Sequence, residues 1–366
     1  MSIVSPNGMW LTGGRLITPR GLVIGAVGIA HGRIAAIRPR APQGARVVDV
    51  GGCYVAPGFI DVHVWGEPQR VALEAARHGT TAFLTTLGPA SEAALARAVA
   101  ERAHACPRGA DCLGLHLEGP FLNPARGGVL PRRGMRAPTA RELERLWRAA
   151  GGRVRLLTLA PELRGAREAI GWCRRHRIVV SLGHSDADAA IARRAVDTGA
   201  TAVTHAFNGM RPWHHRRPSL LDVALTDPRL IAMVIADGVH VSATALRLLL
   251  RAKGAAGVAL VTDSVRGQAS SWKLRRRGDA YVNQRGVLAG SGLTMIEAVR
   301  TMVRLGAASL PEAVRMASEV PARLLGLWRE RGSLEVGKRA DVVVFDKNFR
   351  VHCTFINGDV AYQGRM

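Results

Sequence analysis

Through the middle of the chain, short apolar runs rich in Val, Leu and Ile alternate with stretches whose apolar positions recur at helical spacing, such as 92–105, 140–150 and 243–252. The runs read as buried strands and the stretches as amphipathic helices. Gly-Thr-Thr at 79–81 and Gly-Ala-Thr at 199–201 mark places where a helix gives way to a strand. Such alternation predicts βα units around a parallel sheet. A chain of 366 residues has room for a (β/α)8 TIM-type barrel of about 250 residues and a smaller module. The ends supply that module. Residues 10–50 alternate β-rich runs (Leu16-Ile17-Thr18, Leu22-Val23-Ile24, Ile34 to Ile37) with turns, and similar runs return at 341–345 and 351–356 before an Asn357-Gly358 turn signal. The expected fold class is therefore α/β: a barrel over 57–329 and a small β-sandwich domain built from both chain ends, 1–56 and 330–366.

Four of the apolar runs end in a residue that can do chemistry. Leu115-His116-Leu117 ends in Glu118 before a Gly-Pro turn, Leu182-Gly183 in His184, Val203-Thr204 in His205, and Leu260-Val261-Thr262 in Asp263. The C-terminal ends of barrel strands are where enzymes of this architecture place their active residues. One carboxylate and two imidazoles form a three-ligand set that leaves a coordination position open for water, and an adjacent aspartate is a base for that water's proton. Each residue also has a plain structural reading: a lone histidine after a strand is commonly a hydrogen-bonded core residue, and Asp263 could cap a following helix. Together, in strand order, the four predict a metal-dependent hydrolase with Glu118, His184 and His205 as ligands and Asp263 as catalytic base.

Composition narrows this. No run of apolar residues is long enough to span a membrane, and the amino terminus lacks the basic-then-apolar order of a secretory signal, so a cytoplasmic protein with no membrane partner is expected. Five scattered cysteines (Cys53, Cys106, Cys112, Cys173, Cys353) without a CxxC pair suggest reduced thiols rather than a disulfide framework or thiolate site. The formal net charge of +23 raises a nucleic-acid reading, carried by Arg174-Arg175, Arg216-Arg217 and Arg275-Arg276-Arg277. Against it, the arginines are spread along the chain with no basic tail or interleaved aromatics; solvated arginine-rich faces account for them, and a positive field would attract an anionic small molecule.

The order and wording of these motifs resemble the N-acetylglucosamine-6-phosphate deacetylase family of the amidohydrolase superfamily, nearly end to end. The resemblance rests on Val55 to His63, His116 to Asn123, Gly183-His184-Ser185 and Thr204 to Met210. It continues through Ala236 to Val241, Val261-Thr262-Asp263, Leu288 to Ser291 and Gly332 to Lys338. It implies an enzyme that removes the acetyl group of N-acetylglucosamine 6-phosphate, with one divalent metal ion per chain, zinc by default, on Glu118, His184 and His205, and Asp263 as the base. It further implies sugar-phosphate contacts at Asn208, Gly209, Arg216 and His240, backbone contacts at Val129 and at Leu288 to Gly290, and a homodimer in which the arginine can act across the interface. On residue chemistry alone, the favoured readings are that Arg216 caps a loop and His240 holds its own turn.

Two departures qualify the resemblance. In Asp61-Val62-His63-Val64-Trp65, many amidohydrolases carry a His-x-His pair for a second metal, and Trp65 has no lone pair to give; His63 is then a residue behind the ligands, a substrate contact or a structural one. After Gly127-Gly128-Val129 the family places a histidine that helps to polarise the substrate carbonyl, where this chain has Leu130. Losing such a donor costs about 10² to 10³ in turnover unless another group replaces it; His214 and His215 are candidates. The departures also fit a pocket recast for another N-acetylated amino sugar in a specialised biosynthetic pathway. A metal-binding homologue without catalysis is a third reading, opposed by the presence of Asp263.

Overall fold

The central strands are buried on both faces, which suits a parallel strand packed between outer helices and an inner core. In the computed structural model, which describes residues 8–105 and 107–364, they are Phe59–Trp65 (β1), Thr80–Leu87 (β2), Asp111–Glu118 (β3), Val154–Leu159 (β4), Val179–Leu182 (β5), Ala202–Val203 (β6), Ile231–Ile235 (β7) and Val258–Val261 (β8). Every neighbouring pair is parallel and follows chain order. Beyond β8 the chain folds onto β1: Asp263 N donates to the His63 carbonyl and Trp65 N to the Ser264 carbonyl, both at 2.9 Å. These bonds bring the ring nearly to closure and set Asp263 beside His63 and Trp65.

Helices alternate with the strands and pack outside them. Those expected from periodicity appear as Glu92–Ala103, Ala140–Ala149 and Ala243–Lys253, each capped by a hydroxyl (Ser91, Thr139, Ser242) that accepts a first-turn N–H. Gly199 ends the helix Ala189–Thr198 at φ +130°, a conformation suited to glycine, and lets the chain turn into β6. No helix follows Asp263 before Met295–Arg304, so the capping role considered for it does not arise. Among the described residues, no helix is long and apolar enough to cross a membrane.

Both chain ends enter one further sheet. Its strands Met9–Thr18, Gly21–Ala30, Arg33–Arg38, Val47–Asp49 and Tyr54–Pro57 join Val342–Phe345, Val351–Ile356 and Asp359–Gln363. Its core contains Leu11, Leu16, Val27, Ile34, Val342 and Phe355. Asn357 and Gly358 sit at φ +53° and +83°, the conformation a two-residue hairpin turn demands. A small antiparallel sheet of Arg275–Arg277, Ala280–Val282 and Leu288–Ser291 was not foreseen from the pattern, since three-residue strands leave little periodicity to read. Arg275, Arg276 and Arg277 are exposed there, and Arg276 pairs with Asp279. Cys53, Cys112, Cys173 and Cys353 form no disulfide among the described residues; Cys106 lies outside them.

Candidate metal centre and its pocket

β3 ends in Glu118, and the turns just past β5, β6 and β8 bring His184, His205 and Asp263 to the same point. Glu118, His184 and His205 are buried, and their ligand atoms all lie within 4.8 Å of one another. Glu118 Oε1 is 3.0 Å from His184 Nε2 and 2.8 Å from His205 Nε2. The far side of each ring is held by a backbone carbonyl: His184 Nδ1 donates to Arg126 O at 2.8 Å and His205 Nδ1 to Asn208 O at 3.2 Å. A carbonyl can only accept, so the proton of a neutral ring belongs on Nδ1, and both Nε2 lone pairs then converge on a carboxylate oxygen. That arrangement calls for a cation. The donor set fits a divalent metal with an open position.

The backbone bends to present these groups. His184, His205 and Asp263 lie at φ +48°, +30° and +47°, the left-handed region that non-glycine residues rarely occupy and that gathers at functional sites. Gly209, at φ +64°, leaves room for the first histidine: a Cβ there would stand 3.0 Å from His184 Nδ1. The loops around the site are tied together by Glu162. Its carboxylate accepts from Asn123 Nδ2 at 2.9 Å, Ser185 Oγ at 2.7 Å and Asp186 N at 2.6 Å. Asp186 in turn holds Arg126 and Arg211.

His63 is wholly buried behind the cluster, with Nε2 3.0 Å from Asp263 Oδ1 and 3.5 Å from Glu118 Oε2. These are charge contacts; neither ring nitrogen has an aligned hydrogen-bond partner. Burial pushes the imidazole down, but the Glu118 and Asp263 carboxylates outweigh it and raise the pKa to about 10. Burial likewise opposes ionisation of the two acids, and His63 overcomes it: Glu118 falls well below the usual carboxylate range, helped by His184 and His205, and Asp263 is also lowered. Burial lowers His184, yet Glu118 raises it above the ordinary imidazole value. Asp263 is thus held as a carboxylate, the form a base requires.

Trp65 does more here than withhold a metal ligand. Its indole Nε1 donates to Asp263 Oδ1 at 2.9 Å, so the departure from His-x-His places a hydrogen-bond donor on the expected base. The indole sits against Gly88, where a Cβ would lie 2.9 Å from the ring. Sequence reading weighed Trp65 for what it cannot ligate and as a sign of a recast pocket, and did not find this bond. Glu162 was also missed, although Leu159-Ala160-Pro161-Glu162 places an acid just past the end of β4, close to the pattern used for Glu118.

A pocket of 230 Å³ opens over the cluster, lined by Glu118, His184, His205, Asp263, Val129, Asn208, Gly209, His240 and Leu288 among others. His240 Nδ1 lies 2.6 Å from Asp237 Oδ2, and Asp237 Oδ1 also accepts the His240 and Val239 amides at 2.8 Å. The histidine therefore braces its turn and lines the pocket as well. Burial lowers it and Asp237 raises it above the usual imidazole value. Arg216 is not brought in. It is exposed on the loop after Trp213, with Nη1 2.9 Å from His215 Nε2. His214 and His215 stack on each other, ring centroids 4.9 Å apart, and neither lines the pocket of its own subunit, where Leu130 stands in place of the family's histidine.

Residues 54–361 match the amidohydrolase family. The N-acetylglucosamine-6-phosphate deacetylase of Bacillus subtilis is 33% identical over 92% of this chain and 93% of its own length. The N-acetylgalactosamine-6-phosphate deacetylase of Escherichia coli O157:H7 is 34% identical over 91% and 93%. Among solved structures, the Mycobacterium smegmatis N-acetyl-D-glucosamine-6-phosphate deacetylase, as a mutant in complex with N-acetyl-D-glucosamine-6-phosphate, superposes with a TM-score of 0.88 at 30% identity, covering 97% of this chain and 100% of that one.

Proposed function

Because this chain belongs to the amidohydrolase family, with N-acetylglucosamine-6-phosphate deacetylases as its relatives over nearly its full length, we infer that it hydrolyses the acetyl amide of N-acetylglucosamine 6-phosphate. The products are glucosamine 6-phosphate and acetate. The observation that carries the reading is the buried set of Glu118, His184 and His205 with Asp263 held beside it by Trp65.

Glu118, His184 and His205 would hold one divalent ion, which when bound polarises the acetyl carbonyl and makes water more acidic. Zinc suits one carboxylate and two imidazoles. Asp263 takes the proton of the attacking water as the carbon–oxygen bond forms, then passes it to the nitrogen as the carbon–nitrogen bond breaks, since an amide anion is too basic to leave unprotonated. One oxygen of Asp263 is occupied by Trp65 Nε1, which leaves the other for this transfer. Asn208, Gly209 and His240, with the backbone at Val129 and Leu288, are assigned to the sugar phosphate, His240 offering a charge-assisted bond.

We place the enzyme in the cytoplasm as a homodimer, with Arg216 serving the phosphate of the neighbouring subunit's substrate; its exposure outside its own pocket supports this. The division at 56/57 and 329/330 is proposed with it. A second reading, the galactosamine epimer, is favoured by the Escherichia coli relative. Free-amine release across N-acetylglucosamine and N-acetylgalactosamine, each with and without a 6-phosphate, separates them: the phosphorylated gluco sugar should lead. Preference for an unphosphorylated sugar would reject the substrate assignment.

A further inference from the structure

An amide substrate presents two unlike ends, a polar amine-bearing part and an acyl group, and the pocket wall is unlike in the same way. Asn208 and His240 are polar. Trp65 and Leu130, both nearly buried, form a cluster with Leu122 and Val265 that has no polar atom to spare, because the one donor of Trp65 is spent on Asp263. Trp272 continues this wall, its ring meeting Trp65 edge to face with centroids 5.0 Å apart. The same wall faces a second space. Trp65, Val129, Leu130 and Trp272 also line an adjoining cavity of 580 Å³, larger than the 230 Å³ pocket over the metal ligands; its near side is apolar through Pro131 and Leu274, and its far side carries Lys273, Asn283, Gln284 and Arg285. A sugar hydroxyl or phosphate laid on this wall would lose its hydrogen bonds, whereas an alkyl chain would gain by leaving water. An acetyl methyl alone leaves nearly all of the second cavity unused.

We propose that the cavity walled by Trp65, Leu130 and Trp272 receives the acyl chain of the scissile amide, so that this enzyme hydrolyses N-acyl amino sugars with linear acyl groups longer than acetyl. The proposal rests on the amide-hydrolase reading above and extends it. The bond that breaks is the same, with water supplying the oxygen of the released fatty acid and its proton going to the amine. Trp65 is then a specificity-determining residue, fixed by its bond to Asp263 so that a chain leaving the reacting carbon lies against its ring.

The test is free-amine release by the metal-loaded protein from N-acetyl, N-propanoyl, N-butanoyl and N-hexanoyl glucosamine 6-phosphate. Each methylene that enters the cavity should raise kcat/KM about two- to fourfold. Gln284→Trp adds bulk from an exposed position at the far end of the cavity, and should lower the hexanoyl-to-acetyl ratio at least about threefold. Trp272→Ala, which removes part of the wall, should lower the same ratio. Binding to the Asp263→Asn protein, followed by tryptophan fluorescence, should tighten from acetyl to butanoyl. Hydrolysis of the acetyl substrate with kcat/KM falling at each added methylene would overturn the proposal and leave the deacetylase reading intact. Ratios unmoved by both variants would overturn the assigned cavity. No release from any member, acetyl included, would overturn both readings.

Discussion

Glu118, His184 and His205 are buried and Asp263 is mostly covered at the ends of barrel strands, and each is fixed by a second group. Arg216, by contrast, stands on an exposed loop whose nearest partner is its neighbour His215. The first region is set by β-strand register and backbone carbonyls, so its geometry exists before any substrate arrives. The second gains a role only if something outside this subunit's pocket completes it. The metal-ligand candidates are thereby built into the scaffold, while Arg216, proposed for the phosphate, stands on a loop, the usual division between rigid elements and adaptable connections.

The sharpest way to break that contrast is to damage the scaffolded region. His184→Ala removes one of three ligands, so the purified variant should fall from about one divalent ion per chain to near none, with turnover at background. Elemental analysis reads this, and full metal retention would remove His184 from the ligand set. Asp263→Asn separates holding from catalysis: metal content should be unchanged while kcat falls about 10² to 10⁴. Turnover within a few-fold of the parent would take the base assignment away from Asp263.

Smaller effects are expected at the loop. If Arg216 clamps a phosphate, Arg216→Ala should lower kcat/KM for the phosphorylated sugar about ten- to a hundredfold, the worth of one charged hydrogen bond. The unphosphorylated analogue should be nearly unaffected; equal losses on both would reject the clamp. Smallest is Trp65→Phe, which keeps the ring but deletes the N–H to Asp263 and should reduce kcat by about tenfold or less, since His63 still faces the same oxygen. Metal content should not move. An unchanged kcat would mean that the indole bond does not position the base.

The contrast also marks what could be read from the chain beforehand. The clustering of Glu118, His184, His205 and Asp263 was legible because a barrel strand announces its end by an apolar run, and a Glu, His or Asp at that end is visible in one dimension. Trp65 was not. Its bond to Asp263 joins the end of β1 to the residue after β8, a contact made only when the ring comes together. Glu162 binds three loops and shows no periodicity of its own, though its place just past β4 was a usable signal. For Arg216 and the His214-His215 pair, residue type suggested phosphate and carbonyl contacts, and only the loop's course shows that none of them lines the pocket of its own subunit.

The central claim is amide hydrolysis at the Glu118, His184 and His205 centre, and the most direct measurement follows acetate and free amine together when metal-loaded protein is mixed with N-acetylglucosamine 6-phosphate. The account predicts release of the two in equal amounts, abolished when the metal is removed by a chelator and restored by adding a divalent ion back. No release from fully metal-loaded protein, or release undiminished after the metal is gone, would contradict it.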